Sequence, residues 1–198
     1  MPELKKIGTS RISGGNVLLD PYHIFKEIGL EAGMRIADFG CGAAGHFVIP
    51  AGKIIGKKGT VFAVDILKLV LNTVKSRARF EEVGNVEAIW SNLEIYGATK
   101  IKEASLDFVL LANTLFQIKK NKEIFKEAVR LIKNNGKVAV VEWKMSASPL
   151  GPPTEKRLSK DFVCDLAKEN ELEEMKEFQA GPYHYGLVFG KKIGRAHV

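Results

Sequence analysis

Between Arg35 and Glu142, short apolar runs alternate with stretches whose apolar residues recur at helical spacing, and this alternation constrains the fold more than any other feature of the chain. The runs Arg35–Phe39, Thr60–Val64, Val86–Trp90, Leu106–Leu111 and Lys137–Glu142 are short and largely apolar, as expected for strands of a parallel sheet covered on both faces. A helix should precede the first strand: Asp20-Pro21 supplies an N-cap and a proline at the first helical position, Ile24, Phe25 and Ile28 share one side, and Gly29 ends the helix. A short helical stretch is expected near Phe47–Ile54, with Pro50 inside it. Leu67, Val70, Leu71, Val74 and Ala78 mark the next helix, and Ile124, Phe125, Ala128, Val129 and Ile132 another that stops at Asn134-Asn135-Gly136. Ser159 can cap a helix carrying Phe162, Val163, Leu166 and Ala167. Two further runs, Glu174–Gln179 and His184–Phe189, are joined by a turn at Gly181-Pro182, too short for a crossover, so they must be antiparallel.

At 198 residues the chain has room for one domain with a sizeable core, expected over residues 17–192. Residues 1–16 are read as an arm, and residues 193–198, which lack periodicity, as a frayed or cloning-derived tail. With 45% apolar and 27% charged residues, the composition argues against disordered and collagen-like chains. No apolar run reaches the ~18 residues of a membrane span, so no stable membrane insertion is expected. Met1 to Asn16 lack the apolar core of a secretory signal, which predicts a cytoplasmic location. Cys41 and Cys164 are too few for a disulfide framework and lack metal-ligand spacing; no metal site is expected. The formal charge of +7 is distributed among lysines interleaved with acids, the pattern of a solvated surface more than a nucleic-acid face.

The first strand runs into Asp38-Phe39-Gly40-Cys41-Gly42-Ala43-Ala44-Gly45, which puts glycines where backbone must approach a ligand at the carboxyl end of a strand. Gly40, Gly42 and Gly45 match the dinucleotide pattern G-x-G-x-x-G, a weak signal taken alone. Three features point elsewhere: Asp38 two residues before the first glycine, a helix ahead of the first strand, and the antiparallel ending. Asp65, closing the second strand, has chemical logic of its own, because a carboxylate there can accept hydrogen bonds from both ribose hydroxyls.

With these motifs the sequence resembles the class I S-adenosylmethionine-dependent methyltransferases, in particular small members similar to the ubiquinone/menaquinone-biosynthesis C-methyltransferases. The resemblance spans roughly residues 17–191 and includes Ala63-Val64-Asp65, Asn92, Asp107-Phe108-Val109 and Leu131-Ile132-Lys133-Asn134-Asn135-Gly136. It implies an α/β fold: a Rossmann-like seven-stranded sheet, mostly parallel with an antiparallel last strand, and helices on both faces. It also implies a methyltransferase using S-adenosyl-L-methionine, with Gly40, Cys41 and Gly42 passing beneath the methionine end and Asp38 orienting it. Asp65 would take the ribose, Ile66 would pack on adenine, and Asn92 and Leu93 would meet its amine and ring nitrogen. The backbone around Ala112 and Asn113 would face the methionine ammonium. Each position also has a plain structural reading: Gly42 and Gly45 as turns, Asp65 and Asn92 as caps, Cys41 as a small loop residue. The third glycine falls one place late, and Phe116 stands where relatives often carry histidine.

Methyl transfer from a sulfonium is an in-line displacement with a good leaving group, so alignment and water exclusion can supply much of the acceleration and no base is obligatory. Acceptor-facing residues must lie at carboxyl ends of strands, which selects Asn113–Gln117, Glu142–Lys144 and the turn before the last strand. There Tyr183-His184-Tyr185 concentrates aromatic surface with an imidazole that could serve as a base near neutral pH or hydrogen-bond the acceptor. Glu142, Tyr183 and His184 are therefore the candidate catalytic residues, with Trp143 as a pocket wall and the Gly151-Pro152-Pro153 loop as a cover. For Arg157, an anion clamp and a plain surface salt bridge are the two readings. A small-molecule acceptor is the expected partner. The alternatives are an RNA or protein acceptor, an NAD(P)-binding oxidoreductase, and a silent S-adenosylmethionine-binding protein. Oligomeric state has no signal in the chain.

Overall fold

The computed structural model describes residues 18–146, 148 and 150–192; the expected arm and tail lie outside them. Strands β1 (Arg35–Phe39), β2 (Thr60–Asp65), β3 (Val86–Trp90), β4 (Leu106–Ala112), β5 (Ile132–Trp143), β6 (Leu172–Gly181) and β7 (His184–Lys191) form one sheet in the order β3-β2-β1-β4-β5-β7-β6. The pairs among β1 to β5 are parallel, and β7 runs antiparallel to both β5 and β6. Helices α1 (Pro21–Ile28), α2 (Val48–Ile55) and α3 (Lys68–Phe80) bury Ile24, Phe25, Val48, Leu71 and Val74 in a core layer on one face. Helices α4 (Asn121–Leu131) and α5 (Lys160–Glu169) bury Ile124, Phe125, Val163 and Leu166 on the other. Each face of the sheet is thus closed, which is why its strands read as apolar runs.

Local chemistry explains most boundaries. The Asp20 carboxylate accepts from the Tyr22 N–H at the start of α1, and Gly29 ends the helix in the left-handed region at φ +77°. Pro50 is the third residue of α2, inside the first turn, where a missing N–H breaks no intrahelical bond. Ser159 accepts from the Phe162 N–H and opens α5.

Beyond strand ends that shift by one or two residues, two boundaries differ from expectation. α4 ends at Leu131, and β5 begins at Ile132 rather than Lys137. Ile132 pairs with Leu106, the register then shifts, and Lys137 pairs with Phe108, so Asn134-Asn135-Gly136 form an irregularity within the strand instead of a helix stop. A Cβ on Gly136 would come within 2.8 Å of the Leu106 carbonyl oxygen, which accounts for the glycine. The second difference is the last hairpin, where Gly181 pairs with His184 and the turn is Pro182-Tyr183.

Candidate active site

The carboxyl ends of β1, β2 and β4 converge around the glycine loop. Gly40, Gly42 and Gly45 have φ of +78°, +63° and +54°, a region that other residues adopt with strain. The Gly40 and Cys41 N–H groups donate to the Val64 carbonyl at 2.8 and 3.1 Å, which seats the loop on β2. The Thr114 hydroxyl donates to the Phe39 carbonyl at 2.8 Å and ties the segment after β4 to the same point, while a Cβ on Gly40 would meet Thr114 at 3.0 Å. The position a Cβ on Gly42 would take opens onto free space.

Asp38, Asp65 and Asn113, the polar cofactor-side residues expected here, all lie at these strand ends, each in surroundings of its own. Asp65 is half-buried; its Oδ2 accepts from the Gly42 N–H at 3.4 Å and its Oδ1 from the Leu67 N–H at 2.9 Å, so it braces the glycine loop and turns the chain into α3. Asp38 is buried and its Oδ2 has no hydrogen-bond partner. Burial, reinforced by the charge of Asp65, pushes its carboxyl up from 3.8 to about 7. Asn113 is buried at φ +54°, with its N–H donating to the Val141 carbonyl. Cys41 is buried, and burial raises its thiol well above the ordinary range, as an inert loop residue requires.

At the end of β3, the Asn92 Oδ1 accepts from the Glu94 N–H at 3.0 Å, so the side chain is already engaged in its own turn. Leu93 is buried, Ile66 is half-exposed, and the Ile66 carbonyl accepts from the Trp90 indole at 2.7 Å. The loop carrying Asn92 is anchored by a group that the sequence reading passed over. Glu127 accepts from the Gly97 and Thr99 N–H groups at 2.8 and 2.9 Å and is gripped by the Arg130 guanidinium. Burial raises Glu127, but these donors outweigh it and leave the carboxyl below its ordinary value. The Glu-x-x-Arg spacing on one helix face was the available signal.

The candidate acceptor side lies where β5 meets β7. Because β6 runs parallel to β5, the last hairpin returns at the same edge of the sheet, and His184 sits directly across from Trp143. Their ring centroids are 4.1 Å apart. His184 is fully buried and neither ring nitrogen has a partner. Burial, together with the charges of Lys144 and Arg157, lowers it from 6.5 to about 4, which corrects the expectation of an imidazole titrating near neutral pH. Glu142 is also fully buried: Oε1 accepts from the Leu115 N–H at 2.8 Å and Oε2 has no partner. Burial pushes this carboxyl up from 4.5 to about 8, so near neutral pH it is mainly protonated and does not offer the fixed negative charge a cationic acceptor would need.

Tyr183 is half-buried in the turn, and its carbonyl accepts from the Lys144 N–H. Tyr185 does not join His184: alternation along β7 turns it to the opposite face, where its hydroxyl donates to the Leu158 carbonyl at 2.9 Å. Arg157 is neither an anion clamp nor a surface ion pair. It is buried and donates to the carbonyls of Lys144, Ser146, Leu150 and Pro152, pinning the loop that follows β5. Gly151 in this loop lies against the Trp143 ring, where a Cβ would approach to 2.6 Å. Among the described residues no group of three or more His, Cys, Asp or Glu side chains is placed to hold a metal ion, and no helix is long and apolar enough to cross a membrane.

The family model of a methyltransferase domain matches residues 30–184, which spans every strand end described above except the last hairpin's continuation. The chain belongs to this methyltransferase-domain family. A SAM-dependent methyltransferase from Aquifex aeolicus has the same fold, with a TM-score of 0.80 and 26% identity over 87% of this chain and 89% of that one. The demethylmenaquinone methyltransferases of Lactococcus lactis and of a Geobacillus strain are 25% and 24% identical over 63% and 59% of this chain. The chain spans about half the length of those two relatives, 48% of each. The methyltransferase domain of this chain therefore has the seven-stranded, mostly parallel sheet with helices on both faces that the resemblance to the class I S-adenosylmethionine-dependent enzymes implied.

Proposed function

We propose that this chain holds S-adenosylmethionine at the carboxyl ends of β1, β2 and β4 and transfers its methyl group to a small-molecule acceptor seated against the ends of β5 and β7. The observation that carries the reading is the half-buried Asp65 carboxylate facing the Gly42 N–H, beside open space over a glycine loop. Such a carboxylate suits a pair of ribose hydroxyls, to which it would offer charge-assisted hydrogen bonds. The buried, unpartnered Oδ2 of Asp38 suits an ammonium group, whose charge would favour the ionised form that burial alone disfavours. Ile66 and Leu93 would flank the adenine, with Asn92 contributing its turn and Asn113 its backbone.

When bound, S-adenosylmethionine supplies a sulfonium methyl that an acceptor nucleophile can displace in line, the S–CH3 electron pair staying on sulfur. The chain's own task is then alignment and exclusion of water. Trp143 and His184 form a buried wall, Glu142 fixes the Leu115 segment, and Arg157 fixes the loop over Trp143. A neutral imidazole and a protonated carboxyl suit an uncharged acceptor. The two demethylmenaquinone methyltransferases among its relatives, named for a small-molecule acceptor, support the same class. Incubation with methyl-labelled S-adenosylmethionine and separated small-metabolite, RNA and protein fractions tests the proposal. Label is expected among the small metabolites. Label in RNA or protein would reassign the acceptor, and binding without any transfer would make the chain a silent binder.

A further inference from the structure

α3 exposes apolar side chains where a solvated helix should not. At 100° per residue, its buried residues Leu71, Val74 and Ala78 fall within an arc of about 60° facing the core. Leu69 and Phe80 are eleven positions apart, three turns along the axis and about 20° around it, on the opposite pole. They are 79% and 87% exposed, the highest values among the large apolar side chains described. Thr73 and Ser76 lie between them on that pole.

Cations flank this ridge. Lys68, Lys75 and Arg79 lie to one side and Arg77 to the other, and α3 contains no acid. Among the described residues Lys68, Lys75 and Arg79 form no ion pair, whereas Arg77 lies 3.9 Å from Glu81 and donates to the Ala44 carbonyl. At the amino end of α3, Leu67 and Trp90 are also more than half exposed, with the Trp90 indole held by its hydrogen bond to the Ile66 carbonyl and the Lys68 ammonium 5.9 Å from the centre of its ring.

We propose that this face of α3 docks on an anionic lipid surface. An apolar ridge with cations on its flanks is the layout of a helix lying in the plane of a bilayer, side chains entering the acyl boundary and cations meeting lipid phosphates. A second copy of the chain is a poor occupant, because two-fold pairing would set one acid-free cationic helix against another. A nucleic acid would use the cations but would press phosphates against Leu69 and Phe80. Docking in this way would hold the carboxyl end of β2, and with it Asp65, beside the lipid surface.

Sedimentation with vesicles of phosphatidylcholine alone and of phosphatidylcholine mixed with phosphatidylglycerol tests this. Binding to the mixed vesicles should be at least about tenfold tighter, since each basic residue near an anionic leaflet contributes about a fivefold factor. L69S/F80S should lower it by about tenfold or more, and K75E/R79E should remove the preference for phosphatidylglycerol, both with wild-type circular-dichroism melting. The proposal is overturned by absence of sedimentation with either vesicle, by equal binding to both, or by variants that bind as wild type does. Capture of duplex RNA in place of vesicles, or a dimer that L69S/F80S dissolves, would equally assign the face to another partner.

Discussion

The imidazole of His184 and the indole of Trp143 lie 4.1 Å apart across the last pair of β5 and β7, sealed from solvent and without a hydrogen bond to either imidazole nitrogen. An imidazole so placed resists protonation, because burial and the charges of Lys144 and Arg157 all disfavour the cation. Its depressed value means that the neutral ring stabilises the fold above the unfolded value of 6.5, and that this contribution is lost as pH falls toward about 4. Quenching of Trp143 fluorescence by the imidazolium should therefore show a midpoint near pH 4 in a Trp90→Phe background. A midpoint near 6.5 would mean that the ring is open to water.

His184→Ala should lower methyl transfer about tenfold or more while leaving S-adenosylhomocysteine affinity nearly unchanged, because the imidazole faces the proposed acceptor side. Steady-state kinetics beside equilibrium binding separate the two effects. Equal losses in both would move His184 to the cofactor.

Glu142 gives the opposite pH signature. Its folded value of about 8 lies above the ordinary 4.5, so its contribution to stability is complete at low pH and is lost as pH rises through about 8; Asp38, raised to about 7, acts in the same direction. Glu142→Gln keeps an oxygen for the Leu115 N–H and cannot ionise. Thermal melts should show wild type losing a few kcal/mol more than the variant between about pH 4.5 and 8, with no further divergence above that window. Parallel pH curves for the two proteins would remove Glu142 from this account.

Arg157 offers a test of the loop over Trp143. Arg157→Met removes the donors to four carbonyls and should destabilise the protein by about 2–4 kcal/mol, with the acceptor KM rising more than S-adenosylhomocysteine binding weakens. Arg157→Lys should recover little, since an ammonium cannot reproduce the planar fork. Full recovery by lysine would show that charge alone suffices.

The parts of this molecule legible in the sequence are those governed by local periodicity and punctuation. Val86–Trp90 is the same strand by pattern and by structure, and Asp20, Gly29 and Ser159 act as the stops and starts their chemistry suggests. Asn134-Asn135-Gly136 misled because the same residues that end helices also serve bulges, and only the pairing of Ile132 with Leu106 distinguishes the two. Arg157 misled for a related reason: its partners are backbone carbonyls, which carry no signature in side-chain identity. The return of the His184 turn to the sheet end that carries Glu142 followed from topology, but its pairing with Trp143 and its lowered proton affinity depend on register and burial that no local pattern reports.

The central claim is that the glycine loop with Asp65 is built for S-adenosylmethionine, and calorimetric titration of the wild-type chain and of Asp65→Ala with S-adenosylhomocysteine and with NAD tests it most directly. One S-adenosylhomocysteine site per chain is expected, preferred over NAD, and weakened by roughly 1–3 kcal/mol in a folded Asp65→Ala variant. Preference for NAD, or an affinity that Asp65→Ala leaves untouched, would contradict the account.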